Sequence, residues 1–179
     1  MLEFFKSMAP TIVALAALLL GYYYNKRLLT QKNHEDERKE IYKKLNSFYG
    51  PMKQLLGVSF ELYGRLTSSR PKEFRTLVAL LKGEKFEGND KILLEQILEV
   101  EEHMDRLVLE QSGLVDDDQL QQLLSKVSAH FRVIRLAYKG DLVGQASRFE
   151  GNGFPRDITA MIEKEITRLK NRLEALNAM

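Results

Sequence analysis

Between Lys6 and Lys26 the chain carries no charged side chain. This run, Ser7 to Asn25 (SMAPTIVALAALLLGYYYN), restricts what the remainder can be. As a helix rising about 1.5 Å per residue, it would just cross a hydrocarbon core of roughly 30 Å. Tyr22, Tyr23 and Tyr24 close it, and Lys26 and Arg27 follow at once. Amphipathic rings settle at the headgroup level, and cations resist being drawn deeper. The sequence therefore predicts one transmembrane helix over residues 1–25. A cleaved secretory leader fits less well, because Leu18-Leu19-Leu20-Gly21-Tyr22 puts bulky side chains where a small-x-small cleavage site belongs. The third reading is a core helix of a soluble domain.

The flanking charges predict an orientation. Lys26, Arg27, Lys32, Arg38, Lys39, Lys43 and Lys44 all follow the run, whereas Lys6 alone precedes it with Glu3 offsetting it. The positive-inside bias puts the C-terminal part in the cytoplasm and the N-terminus outside. The absence of cysteine agrees with a reducing compartment.

Ser7, Thr11, Ala14, Leu18, Gly21 and Asn25 recur at steps of four and three, so they share one face of the helix. That face is small or weakly polar except at Leu18. In a ring of such helices it would line a pore, with Leu18 as an apolar constriction. The plainer reading is packing, since Ala17 and Gly21 form a small-xxx-small pair that lets helices approach closely.

Beyond the run, the chain of 179 residues is long enough for one further domain with a sizeable core. A net charge of +2 is no nucleic-acid footprint, and no direct DNA binding is expected. Charges are segregated, with basic residues prevailing over 51–82 and acids over 84–118, either as solvated faces or as surfaces that meet between subunits. Residues 26–50 read as a charged helical neck, with Gly50-Pro51 predicting a kink or a new helix start. Residues 51–179 read as an all-α bundle. Its predicted helices are one ending near Leu66, a short one from Pro71, Lys91–Gln111 capped by Asp90, one capped by Asp116 or Asp117 and stopped by Gly140, and one after Pro155. The fold class expected is thus all-α, a single N-terminal transmembrane helix continuing into a cytoplasmic helical bundle.

Chemistry is sparse in this sequence. His34, His103 and His130 are isolated from one another, no phosphate-cradling glycine motif occurs, and neither a metal site nor a cofactor is expected. Asp116-Asp117-Asp118 reads as a helix start. One catalytic constellation needs weighing: all-α bundles of the HEPN type cut RNA with an Arg-x4–6-His element, and Arg27 and His34 have that spacing. Leu28 departs from the polar residue usual after that arginine, and both side chains have ordinary places on an exposed neck.

The layout resembles the small membrane accessory proteins encoded beside the RNA-guided RNase of type VI-B CRISPR loci. The resemblance is carried by SMAPTIVALAALLLGYYYNKR, by the neck with Arg27 and His34, and by the all-α remainder. The segment LNSFYGPMKQLL also looks like an element of other small single-span bacterial proteins. The resemblance implies a ring-forming homo-oligomer, an octamer, in the lipid of the bacterial inner membrane. It would act as a pore that depolarises the membrane and enhances antiphage defence when the CRISPR RNase, its functional partner, detects target RNA. Ser7, Thr11, Ala14, Leu18, Gly21 and Asn25 would face the lumen, with Lys26, Arg27 and His34 at its mouth. The HEPN label of that family would fall on Arg27 and His34. The expectation is a non-enzymatic effector; the alternatives are an anchored HEPN-like RNase and a non-pore anchor or scaffold that recruits a cytoplasmic partner.

Overall fold

The backbone of residues 2–144, 146–149 and 153–178 is described by a computed structural model, in which the side chains of residues 2–12, 14, 16, 146 and 147 lie outside the description. Every regular element among the described residues is helical. The order is α1 (Leu2–Lys44), α2 (Gly50–Thr67), α3 (Thr76–Leu81), α4 (Gly88–Gln111), α5 (Asp118–Lys139) and α6 (Ile158–Asn177). A π turn, Leu45–Tyr49, joins α1 to α2, and short 3-10 turns occupy Ser112–Leu114 and Ala146–Phe149.

The all-α expectation is met, but its transmembrane part is corrected. Among the described residues no helix is long and apolar enough to cross a membrane. The described apolar stretch of α1 starts at Val13, and after Leu20 it gives way to Gly21, three tyrosines, Asn25, Lys26 and Arg27. A crossing needs about 20 predominantly apolar residues. The residues expected to complete the span, Ser7 to Ile12 with Ala14 and Ala16, have side chains outside the described set.

The chain divides into two compact units, residues 1–42 with 173–179 and residues 43–172. In the first, Ile41, Leu173 and Leu176 are buried, and Arg38 Nη2 donates a hydrogen bond to the Leu176 carbonyl. The remainder of its described helix is mostly exposed.

The second unit begins with the last two residues of α1, Lys43 and Lys44, and the π turn follows. Pro51 has no N–H to give the carbonyl one turn back, and the ladder adjusts by a wider turn in which the Gly50 N–H bonds to the Leu45 carbonyl. A Cβ at Gly50 would lie 2.8 Å from that same oxygen, so this close approach requires glycine. The predicted break at Gly50-Pro51 therefore takes the form of a widened turn. Helix α2 packs against α4, α4 against α5, and α3 against α5. The shared core includes Leu66, Leu77, Leu80, Phe86, Leu94, Ile97 and Ile134.

Local signals place most boundaries. The Asp117 carboxylate accepts the Leu120 N–H at 2.8 Å and so caps α5. Gly140, at φ 79°, ends it in a left-handed conformation. Asp116 instead holds buried Lys44 at 2.6 Å. Two boundaries differ from expectation. Helix α3 starts at Thr76 and not at Pro71, because Arg75 is extended and Phe74 lies under the Arg70 guanidinium, 4.5 Å from its ring centre. Helix α4 starts at Gly88, leaving Asp90 inside the first turn, where it accepts from Arg70 Nη2 at 2.7 Å. Arg70 also bonds Glu84, and these two hydrogen bonds, Asp90 first, raise its pKa further.

Candidate functional site: an apolar stretch of α1 and a cavity beside Glu101

Two features lack an explanation in folding alone, and each lies within one unit. The first is the surface of α1. Val13, Leu18, Leu19, Leu20, Tyr22, Tyr23 and Tyr24 are between 65% and 72% exposed, and Leu28 and Leu29 are more than half exposed. Residues 18–24 are consecutive, so at about 100° per residue they cover the whole circumference of the helix. An amphipathic helix hides its apolar side against its own domain, whereas this one shows apolar surface all round.

The residues expected to line or flank a lumen fall in this region. Leu18, Gly21, Asn25, Lys26 and Arg27 are exposed, and His34 is half-buried. The side chains of Ser7, Thr11 and Ala14 lie outside the described residues. Arg27 and His34, the HEPN-like pair, share α1 but neither lines a described cavity.

The second feature is a cavity of about 420 Å³ inside the unit of residues 43–172. Helix α2 contributes Leu56, Phe60 and Tyr63 to its wall; α4 contributes Leu94, Ile97 and Glu101; α5 contributes His130 and Ile134. The start of α3 adds Thr76, and the segment before α6 adds Phe154. Phe154 is the centre of an aromatic group. Its ring lies 5.7 Å from Phe60 in an edge-to-face arrangement, 5.7 Å from His130 and 6.0 Å from Phe131. The volume falls in the ~300–1,000 Å³ range of small-molecule sites, and the wall is mostly apolar with few polar atoms, as in such sites.

Those polar atoms are unusual. Glu101 is 6% exposed, and its Oε2 has no hydrogen-bond partner. Thr76 is 5% exposed, and its hydroxyl is likewise unpartnered. Burial pushes the Glu101 carboxyl up to about 8, and the positive charge of Arg135 offsets only part of that rise. Other buried acids in this unit are treated differently. Asp105 takes Arg132 Nε at 3.3 Å, and Glu165 takes Arg168 Nη2 at 2.9 Å. An unpaired buried carboxyl oxygen costs on the order of 1–3 kcal/mol or more, so it marks a position not optimised for stability alone.

Glu101 is absent from the residues that the sequence marks as candidate sites, although its position carries a signal. Leu94, Ile97, Leu98, Met104 and Val108 form the buried side of α4, and Glu101 falls four residues after Ile97 and three before Met104. An acid inside an apolar stripe is the readable mark of a buried polar site. Among the described residues, no group of three or more His, Asp or Glu is gathered so as to hold a metal ion.

Comparison with known proteins adds no family: no protein-family model, no curated protein and no solved structure matches the chain.

Proposed function

We propose that this protein is a non-catalytic helical domain held at a lipid surface by the apolar part of α1. One observation carries the reading: apolar and aromatic side chains from Val13 to Leu29 are solvent-exposed on every side of the helix. A contiguous apolar surface of this kind on a monomer marks an interaction site. A single protein partner seated on one face would leave the opposite face in water. A lipid surface that takes the helix in among its acyl chains, short of a crossing, covers more of that circumference than one protein face can. Tyr22, Tyr23 and Tyr24 supply the ring-and-hydroxyl chemistry of the headgroup boundary, and Lys26, Arg27 and Lys32 supply cations for anionic headgroups.

The proposal concerns attachment to lipid and not a channel through it. The channel expectation, and with it the coupling to an RNA-guided RNase, rests on a crossing helix, which the described residues do not provide.

Flotation of the full chain with vesicles of phosphatidylglycerol and phosphatidylethanolamine tests the reading. The wild-type chain should float with the vesicles, and Leu18→Ser/Leu19→Ser/Tyr23→Ser should stay behind. A wild-type chain that remains with the soluble fraction, or a triple variant that floats equally well, would overturn it.

A further inference from the structure

The cavity beside Glu101 is independent of α1 and of lipid attachment, and its chemistry points to a ligand. Its wall pairs two kinds of group that rarely serve folding together. One is a pair of buried oxygens without partners: Glu101 Oε2, an acceptor, and the Thr76 hydroxyl, which can donate as well as accept. The other is a bank of aromatic rings, Phe60, Tyr63 and Phe154. A buried acceptor without a donor gains most from a ligand N–H, and most of all from a charged one. Aromatic faces favour a cation close by, more strongly where water is excluded.

We propose that this cavity binds a small primary or secondary ammonium compound with an apolar or aromatic body, the nitrogen donating to Glu101 and the body resting against Phe60, Tyr63 and Phe154. As a folding contact Glu101 is incomplete: arginines hydrogen-bond Asp105 and Glu165, whereas Arg135 acts on Glu101 through its charge and Glu101 Oε2 accepts no hydrogen bond.

Two further cations line the cavity, Arg75 and Arg156, and Arg135 of α5 acts on Glu101 from close by. Arg75 and Arg156 are exposed, so water and salt weaken their repulsion of a bound ammonium. Glu101 is buried, where the same charge acts through a lower dielectric. Arg135 is half-buried and offsets part of the Glu101 charge, so a ligand nitrogen gains most at Oε2, the oxygen that accepts no hydrogen bond, while the exposed arginines face solvent.

Three matched probes decide the matter: 4-phenylbutylammonium, 4-phenylbutyrate and 4-phenylbutanol, titrated calorimetrically into the full chain at pH 9, where the Glu101 carboxyl is ionised and the ammonium is still charged. They share size and apolar body and differ in the charge of the head. The ammonium should bind at least tenfold more tightly than either of the others. Glu101→Gln, which keeps the side-chain volume, should remove at least tenfold of that preference, and Phe154→Leu should weaken all three probes. Equal binding of the acid or the alcohol, or no detectable binding of the ammonium at millimolar concentration, would overturn the proposal. So would an unchanged ammonium affinity in Glu101→Gln. The ranking in the wild-type chain stands as a test even if a variant fails to fold.

Discussion

Two apolar stretches of this chain meet opposite fates. In α4, Leu94 and Ile97 are almost wholly buried, because α2 and α5 supply apolar neighbours at helical spacing. In α1, Leu18, Leu19 and Leu20 are as apolar as those residues yet about 70% exposed. Hydrophobicity alone does not separate them. Periodicity does: α4 alternates its leucines and isoleucines with Glu95, Gln96 and Glu99, so one side can be hidden by a neighbouring helix. Residues 13–24 of α1 have no polar side to leave in water. The lesson is that a continuous apolar run asks for cover from beyond its own domain, and a striped one asks for a partner helix.

Substitutions can break that contrast. The largest effect should come from Phe131→Ala in the striped region. Phe131 is fully buried, so the loss should be about 3–5 kcal/mol of unfolding free energy, read by urea denaturation. A loss under 1 kcal/mol would mean that this core is not what holds the unit together.

Next comes Glu101→Gln, whose effect depends on pH. In the folded chain Glu101 keeps its proton up to about pH 8, whereas its ordinary value is 4.5. Its penalty is absent below pH 4.5, grows as pH rises through this window, and is complete above about pH 8. The variant should therefore gain stability relative to wild type as pH rises from 5 to 8, by on the order of a few kcal/mol at the upper end. Parallel wild-type and variant curves across that range would place the carboxyl in water.

A smaller change is expected at Arg70. It lies over the rings of Phe74 and Phe86, at 4.5 and 5.0 Å, while bonding Glu84 and Asp90. Its carboxylate partners are partly exposed, so Arg70→Ala should cost about 1–2 kcal/mol by the same denaturation measurement. The smallest effect belongs to the unstriped stretch: Leu18→Ser/Leu19→Ser should change the unfolding free energy by no more than about 0.5 kcal/mol, read by the same urea denaturation. A loss of 2 kcal/mol or more, on the order of a buried leucine, would show that these leucines are covered by the chain itself.

Much of the helical body was legible because its signals are local. Asp117, Gly140 and the stripes of α4 and α5 each act within a turn or two of their own position. What was not legible depends on distant contacts. The residues Lys72, Glu73 and Phe74 are acceptable in a helix, but Arg70 fixes Phe74 in the turn ahead of α3, and a tertiary contact outweighs a weak propensity. Gly50-Pro51 announced a break, but its π geometry follows from how the Gly50 N–H finds the Leu45 carbonyl. The crossing helix was inferred from absent charge, a criterion that counts glycine, tyrosine and asparagine as if they were leucine. Glu101 is hidden when charges are taken as blocks along the chain, where it is one acid among many, and shows only by its place on the buried face of α4.

Arg70 carries a further consequence. Glu84 lies within the link from α3 to α4, ahead of Lys85, and Asp90 lies beyond the link in the first turn of α4, so one guanidinium fastens both sides of Lys85. A cut beside the exposed Lys85 would leave the two ends tethered without a covalent bond. That makes this bend a natural place to split the protein into complementing fragments, or to graft a reporter into it.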